Sequence, residues 1–139
     1  MSAQTSYNPS MIPFYIDGVM RKRTAQLEKE RNVARAIEKL NEEDTDLVIV
    51  TDHGKPVGVF THTDVAKVVE EQRDVSTTRL SEMELSPVVT VEESADIETA
   101  AKIMNRNGLR YVLVTKANDI IGYLTDRDLS KAFSRADKK

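Results

Sequence analysis

The chain alternates between two kinds of hydrophobic spacing. Near residues 31–43, Val33, Ala36, Ile37 and Leu40 recur at three- and four-residue intervals, which predicts an amphipathic helix. Near 94–107, Ile97, Ala100, Ala101 and Met104 repeat that stripe. Each helix is followed by a short apolar run, Leu47–Val50 or Tyr111–Val114, suited to a strand buried on both faces. A polar turn follows, Asp52-His53-Gly54-Lys55 or Lys116-Ala117-Asn118-Asp119, and then a second strand, 56–60 or 120–124. The turns are short enough to close hairpins. Closing helices are predicted near 62–72 and 126–135. Asn107-Gly108 stops the second copy's first helix, and Glu43-Asp44 is a weaker stop at the matching place. A further strand, Pro87–Val91, precedes the second copy. Its counterpart, Thr24–Leu27, is more polar.

These elements form a repeat. A shift of 64 residues lays 32–69 on 96–133 without a gap, with nine identities in 38 positions. Average composition predicts about two. A duplication explains the match. The expected fold class is α/β (α+β), two β-α-β-β-α repeats packed around a pseudo-twofold axis. The expected organisation is an N-terminal tail at 1–11, a first repeat at 12–72, a linker at 73–80, a second repeat at 81–135 and a C-terminal tail at 136–139. Each repeat of about 60 residues is small for a core of its own, so a core shared between the halves is expected.

Composition narrows the function classes. The 139 residues carry a formal net charge of −3, against a role dominated by neutralising nucleic-acid phosphates. With no cysteine, disulfides, thiolate metal sites and cysteine nucleophiles are excluded. The two histidines, His53 and His62, exclude a three-histidine metal site within one chain. No apolar run reaches membrane-spanning length and the N-terminus does not read as a secretory signal, so a cytoplasmic location is expected.

One repeated segment carries candidate chemistry. Gly58-Val59-Phe60-Thr61-His62-Thr63-Asp64 matches Gly122-Tyr123-Leu124-Thr125-Asp126-Arg127-Asp128. In each, a strand ends and a helix starts at the Thr. A Thr at the N-cap with an acid three residues on is a capping-box pattern. The same segment also suits a nucleotide. Helix N–H groups, the Thr125 hydroxyl and the Arg127 guanidinium suit phosphate, and an Asp accepts hydrogen bonds from paired ribose hydroxyls. The glycines mark places where a backbone or ligand approaches closely.

The pattern resembles a tandem pair of CBS domains, the cystathionine-β-synthase-type regulatory module. The resemblance covers about residues 12–135. It rests on the unit order, the 64-residue repeat, S-P-V-V-T-V (86–91), I-I-G-Y-L-T-D-R-D-L (120–129), and Met20 and Met83 ahead of each copy. It implies a stand-alone, non-enzymatic regulatory protein. Its ligand would be adenosine-containing, AMP, ADP or ATP first, then S-adenosylmethionine or NADH, held in clefts between the halves, with Mg²⁺ open. The implied second-copy site is Pro87, Val88 and Val89 toward the base, Thr125 and Arg127 toward phosphate, and Asp128 toward ribose. The first-copy site would use Thr61, His62 and Asp64. It departs from the pattern, since Thr63 stands where Arg127 stands and its leading strand lacks Pro-Val-Val. Arg21, Lys22 and Arg23 are candidates to supply the missing charge. The resemblance also implies a homodimer through Val65, Val68, Val69, Leu129, Ala132 and Phe133, and an unidentified regulated protein. A second reading stays open: an interaction module in which the Thr-x-x-Asp segments are only helix caps.

Other signals carry less. Gly54–Gly58 lacks the spacing of a phosphate-binding loop, and His62 has no nucleophile or orienting partner in view. The pairs Glu42-Glu43, Glu70-Glu71 and Glu92-Glu93 read as solvated surface. Arg21-Lys22-Arg23 gives too weak a footprint for nucleic acid. Tyr7 and Met11–Tyr15 are apolar enough to dock on the core or on a partner.

Overall fold

The computed structural model describes residues 15–137. Of the apolar N-terminal segment only Tyr15 falls within that range. The expectations for Tyr7, Met11, Ile12, Pro13 and Phe14 lie outside the described residues.

Each repeat builds the same elements. The first has β1 (Ala25–Glu28), α1 (Val33–Glu42), β2 (Leu47–Asp52), β3 (Lys55–Thr61) and α2 (His62–Glu70). The second has β4 (Thr90–Glu92), α3 (Ile97–Asn107), β5 (Tyr111–Lys116), β6 (Asp119–Thr125) and α4 (Asp126–Asp137). The last helix thus runs two residues past its expected end. The strand read at 87–91 begins only at Thr90. Short 3-10 turns at Ile16–Gly18 and Leu80–Glu82 lie in the lead-in ahead of each repeat.

Each repeat forms a three-stranded sheet, ordered β1-β2-β3 or β4-β5-β6. The first pair in each is parallel and the second antiparallel, with a register shift at Val50/Thr51 and at the equivalent Val114/Thr115. The hairpin turns use left-handed residues, His53 and Gly54 in one and Ala117 and Asn118 in the other. That geometry suits the right-handed twist of the flanking strands. Asn32 and Asp96 cap α1 and α3 by accepting the Arg35 and Thr99 N–H groups. Gly108 ends α3 at φ 63°, and Asp44 takes a left-handed conformation at the matching place after α1.

The chain divides into two compact units that do not follow the order of the repeats. One is continuous, Thr24–Val88. The other joins Met1–Arg23 to Val89–Lys139. The lead-in ahead of the second repeat therefore belongs to the unit of the first, and the lead-in ahead of the first belongs to the unit of the second. In the continuous unit, Ser86 exchanges both backbone hydrogen bonds with Val59 of β3. In the other, Arg21 does the same with Tyr123 of β6.

Each unit closes a hydrophobic cluster of its own. In the continuous unit Val33, Ala36 and Leu40 of α1 meet Val48, Val50, Phe60 and Val68, with Leu80, Met83 and Leu85 of the lead-in packed in. In the other, Ile97, Ala100 and Met104 of α3 meet Val112, Val114, Leu124 and Ala132, joined by Ile16 and Met20. Ile16 and Leu80 are both fully buried, so the lead-ins add the apolar mass that a bare repeat would lack. Of the apolar residues singled out for association, Val65, Val68, Leu129 and Ala132 pack into these clusters. Val69 is 70% exposed and Phe133 38% exposed.

Candidate functional site

The two Thr-x-x-Asp segments sit at strand–helix junctions. β3 ends at Thr61, whose extended backbone makes it the N-cap of α2. Asp64, fully buried, turns its side chain back to this cap. Its Oδ2 accepts from Thr61 N–H at 2.8 Å, from Thr61 Oγ1–H at 3.2 Å and from Ser86 Oγ–H at 3.1 Å. Its Oδ1 is buried and has no hydrogen-bond partner. The nearest ion-pair partner is Lys67 Nζ at 3.7 Å, on a half-exposed side chain. A buried carboxylate oxygen without a donor is uncommon, because desolvating it goes uncompensated.

At the second junction the capping is equally complete. Asp128 Oδ2 accepts from Thr125 N–H and Thr125 Oγ1–H, both at 3.0 Å, and Asp128 N–H donates to Thr125 Oγ1 at 3.2 Å. The other oxygen differs. Asp128 Oδ1 lies 3.3 Å from Arg21 Nε. Arg21 is delivered there by its backbone pairing with Tyr123. Of the basic cluster 21–23, Arg21 thus serves the second-copy aspartate. Ser86 and Arg21 therefore play matching parts: each pairs with a β-strand edge and sets its side chain on the junction aspartate, one neutral and one cationic. Residue-type patterns missed both contacts, which join residues far apart in sequence.

The remaining site residues are more dispersed. His62 and Arg127 are exposed at the starts of α2 and α4, and Thr125 is buried. Asp126 N–H, at the start of α4, donates to the Arg110 carbonyl and is spent on the chain itself. Val89 lies in the unit of Thr125 and Asp128, and its carbonyl already accepts from Leu113 N–H at 2.8 Å. Pro87, exposed, and Val88, half-buried, belong to the other unit.

The junction glycines have a structural cause. A Cβ at Gly122 would run into the Arg21 carbonyl oxygen, and one at Gly58 would lie 2.7 Å from Leu85 Cβ. The close approach read from these glycines is made by the lead-in segments.

A second carboxylate motif also repeats. Glu28, at the end of β1, accepts from Thr51 Oγ1–H at 2.6 Å, His53 N–H at 2.9 Å and Gly54 N–H at 3.1 Å. These bonds, led by Thr51, hold its carboxyl below the usual range. Glu92 accepts from Thr115 Oγ1–H at 3.0 Å. The motif clasps the parallel strand pair and the first hairpin turn. Asp52 is likewise held low, chiefly by its hydrogen bond with His53 and then by Lys29. Among the described residues no cluster of acidic or histidine side chains could hold a metal, and no helix is long and apolar enough to cross a membrane.

Fold, repeat and paired junctions define a tandem module. The CBS-domain family pattern matches residues 16–71 and 80–135, and the chain belongs to that family. Proteins built on CBS pairs are regulatory. An uncharacterized protein of Methanopyrus kandleri is 32% identical over 85 residues, 60% of this chain and 43% of its own length. The chain spans less than half the length of the curated relatives it matches. Among solved structures, a CBS-domain protein of Pyrobaculum aerophilum complexed with AMP is similar at TM-score 0.77 and 19% identity, over 91% of this chain and 100% of that one. The CBS-domain pair of the protein MJ0100, in complex with 5′-methylthioadenosine and S-adenosyl-L-methionine, is similar at TM-score 0.76 and 22% identity, over 90% and 98% of the two chains.

Proposed function

We propose that this chain is a regulatory module that binds an adenosine-containing ligand at its Thr-x-x-Asp junctions and passes its occupancy to a partner protein. The observation that carries the reading is Asp64 Oδ1, a buried acceptor with no hydrogen bond, at the end of a helix-capping aspartate. A ribose presents two adjacent hydroxyl donors, and a carboxylate oxygen in that state gains most from them. Asp128 is the matching acceptor of the second repeat, with Arg127 and Thr125 as the phosphate-facing pair and the Val89 segment beside the base. AMP, ADP and ATP are the first ligands to test, then S-adenosylmethionine and NADH, each with and without Mg²⁺. Occupancy acts by favouring one conformation over another. Self-association as a homodimer would use Val69 and Phe133, the exposed apolar residues of α2 and α4, and light scattering reads it directly.

A second reading has its own support. At Asp128 one oxygen is capped by Thr125 and the other is ion-paired with Arg21 within the chain, as an interaction module with silent sites requires. Calorimetric titration separates the two. The sensor reading expects saturable binding of an adenosine ligand, weakened at least about tenfold in Asp64→Ala or Asp128→Ala, with both variants still folded by circular dichroism. Absence of heat and of any melting shift for the whole panel would overturn it in favour of the interaction module.

A further inference from the structure

A cavity of about 480 Å³ opens in the continuous unit, lined by Glu30, Arg31, Asn32, Ser76, Thr77 and Arg79. None of these residues belongs to the Thr-x-x-Asp junctions. The cavity lies where the lead-in of the second repeat crosses the start of α1. Leu80 N–H donates to the Arg31 carbonyl at 2.9 Å, and Asn32 and Arg79 form a β-bridge. The first amides of α1 are already used, since Val33 N–H donates to Thr78 O and Ala34 N–H to Val75 O, both at 2.9 Å. Any ligand here is therefore held by side chains, not by the helix end.

Those side chains have a definite chemistry. Arg31 and Arg79 are exposed, and among the described residues neither makes an ion pair with a carboxylate. Ser76 and Thr77 add hydroxyl groups, and Glu30 adds one acceptor. The repeat supplies an internal control. The 64-residue shift places Arg31 on Ala95, Asn32 on Asp96 and Arg79 on Tyr15. The scaffold there is the same: Ile16 N–H donates to the Ala95 carbonyl, and Tyr15 bridges Asp96. The fold thus builds this crossing twice without needing arginine, and only one copy carries two cations.

We propose that this cavity binds a phosphomonoester of a small hydroxylated compound. Two guanidiniums match a phosphate dianion in charge and in forked donor geometry. The site is open to solvent and leaves room for an organic group beside the phosphate. Glu30 would repel a free anion but accept a hydroxyl of that group. All six lining residues carry polar or charged groups, which suits a ligand that hydrogen-bonds rather than a purely apolar one.

The test is a titration of the whole chain with glycerol 3-phosphate, followed by amide chemical shifts. The expected result is saturable movement of residues 30–32 and 76–79, weakened at least about tenfold in R31Q/R79Q and unchanged in K102Q/R106Q, which removes the same charge on α3. E30A is expected to weaken glycerol 3-phosphate while tightening inorganic phosphate. No movement at these residues, or equal loss in K102Q/R106Q, overturns the proposal. Movement confined to Thr61–Asp64 or Thr125–Asp128 also overturns it and leaves the adenosine reading intact. Conversely, failure of every adenosine ligand in calorimetry leaves this cavity untouched. The altered side chains are exposed, and their melting temperatures are expected to stay near that of the wild type.

Discussion

Gly122→Ala tests the lead-in pairing where it is tightest. The new methyl would collide with the Arg21 carbonyl oxygen, with Arg21 C at 3.2 Å and Met20 Cε at 3.1 Å also in the way. A methionine tip can swing aside, whereas a backbone carbonyl cannot. The lead-in must therefore retreat from β6. Retreat breaks the two hydrogen bonds between Arg21 and Tyr123, at 2.8 and 2.9 Å, and draws Arg21 away from Asp128. Overpacking costs about 1–3 kcal/mol, and each backbone bond about 0.5–1.5 kcal/mol net. Replacing glycine returns about 0.4–1 kcal/mol through the unfolded chain. The expected net loss is about 1–6 kcal/mol, a large share of a typical 5–15 kcal/mol stability. Urea unfolding monitored by circular dichroism reads the total, and hydrogen exchange at Tyr123 N–H reads the cause. Gly108→Ala is the comparison, because its Cβ would meet nothing within 4 Å and only its φ of 63° resists. That cost is about 1–2 kcal/mol. A Gly122→Ala protein within 0.5 kcal/mol of wild type, with Tyr123 still protected, would refute the packing argument.

Other perturbations follow the same logic. Asp44→Gly is expected to stabilise by about 0.5–1 kcal/mol, because the second repeat already has Gly108 in this left-handed position, and thermal unfolding checks it. Glu28 has its carboxyl held low, so its contribution to stability is full above the ordinary carboxylate range and is lost as pH falls through the lowered folded value. Glu28→Gln should flatten the acid limb of the stability–pH curve below about pH 4.5, and an unchanged limb would contradict this. Ser86→Ala removes one of three donors to Asp64 Oδ2 and is expected to cost about 1 kcal/mol in urea unfolding.

The sequence made the elements legible because each repeat carries the same periodicity twice. Val33, Ala36 and Leu40 and their partners Ile97, Ala100 and Met104 all reach the core faces expected of them. The Thr61–Asp64 and Thr125–Asp128 caps were equally legible, since capping chemistry is local. Other features leave no periodic trace. The bridges of Ser86 to Val59 and Arg21 to Tyr123 are single residue pairs across long separations, so nothing in a window of residues announces them. With them went the roles of Ser86 and Arg21. The left-handed Asp44 was hidden for another reason, because an aspartate tolerates that conformation without signalling it as glycine does.

The exchanged lead-ins also set an order of events during synthesis. The unit Thr24–Val88 is continuous and can close as soon as Val88 has emerged from the ribosome. Arg21 must wait for Tyr123, about a hundred residues later, which at about 5–20 residues per second is roughly 5–20 s. During that interval Ile16 and Met20 have no core to enter and offer apolar surface to chaperones. A segment made before the continuous unit is among the last to find its place.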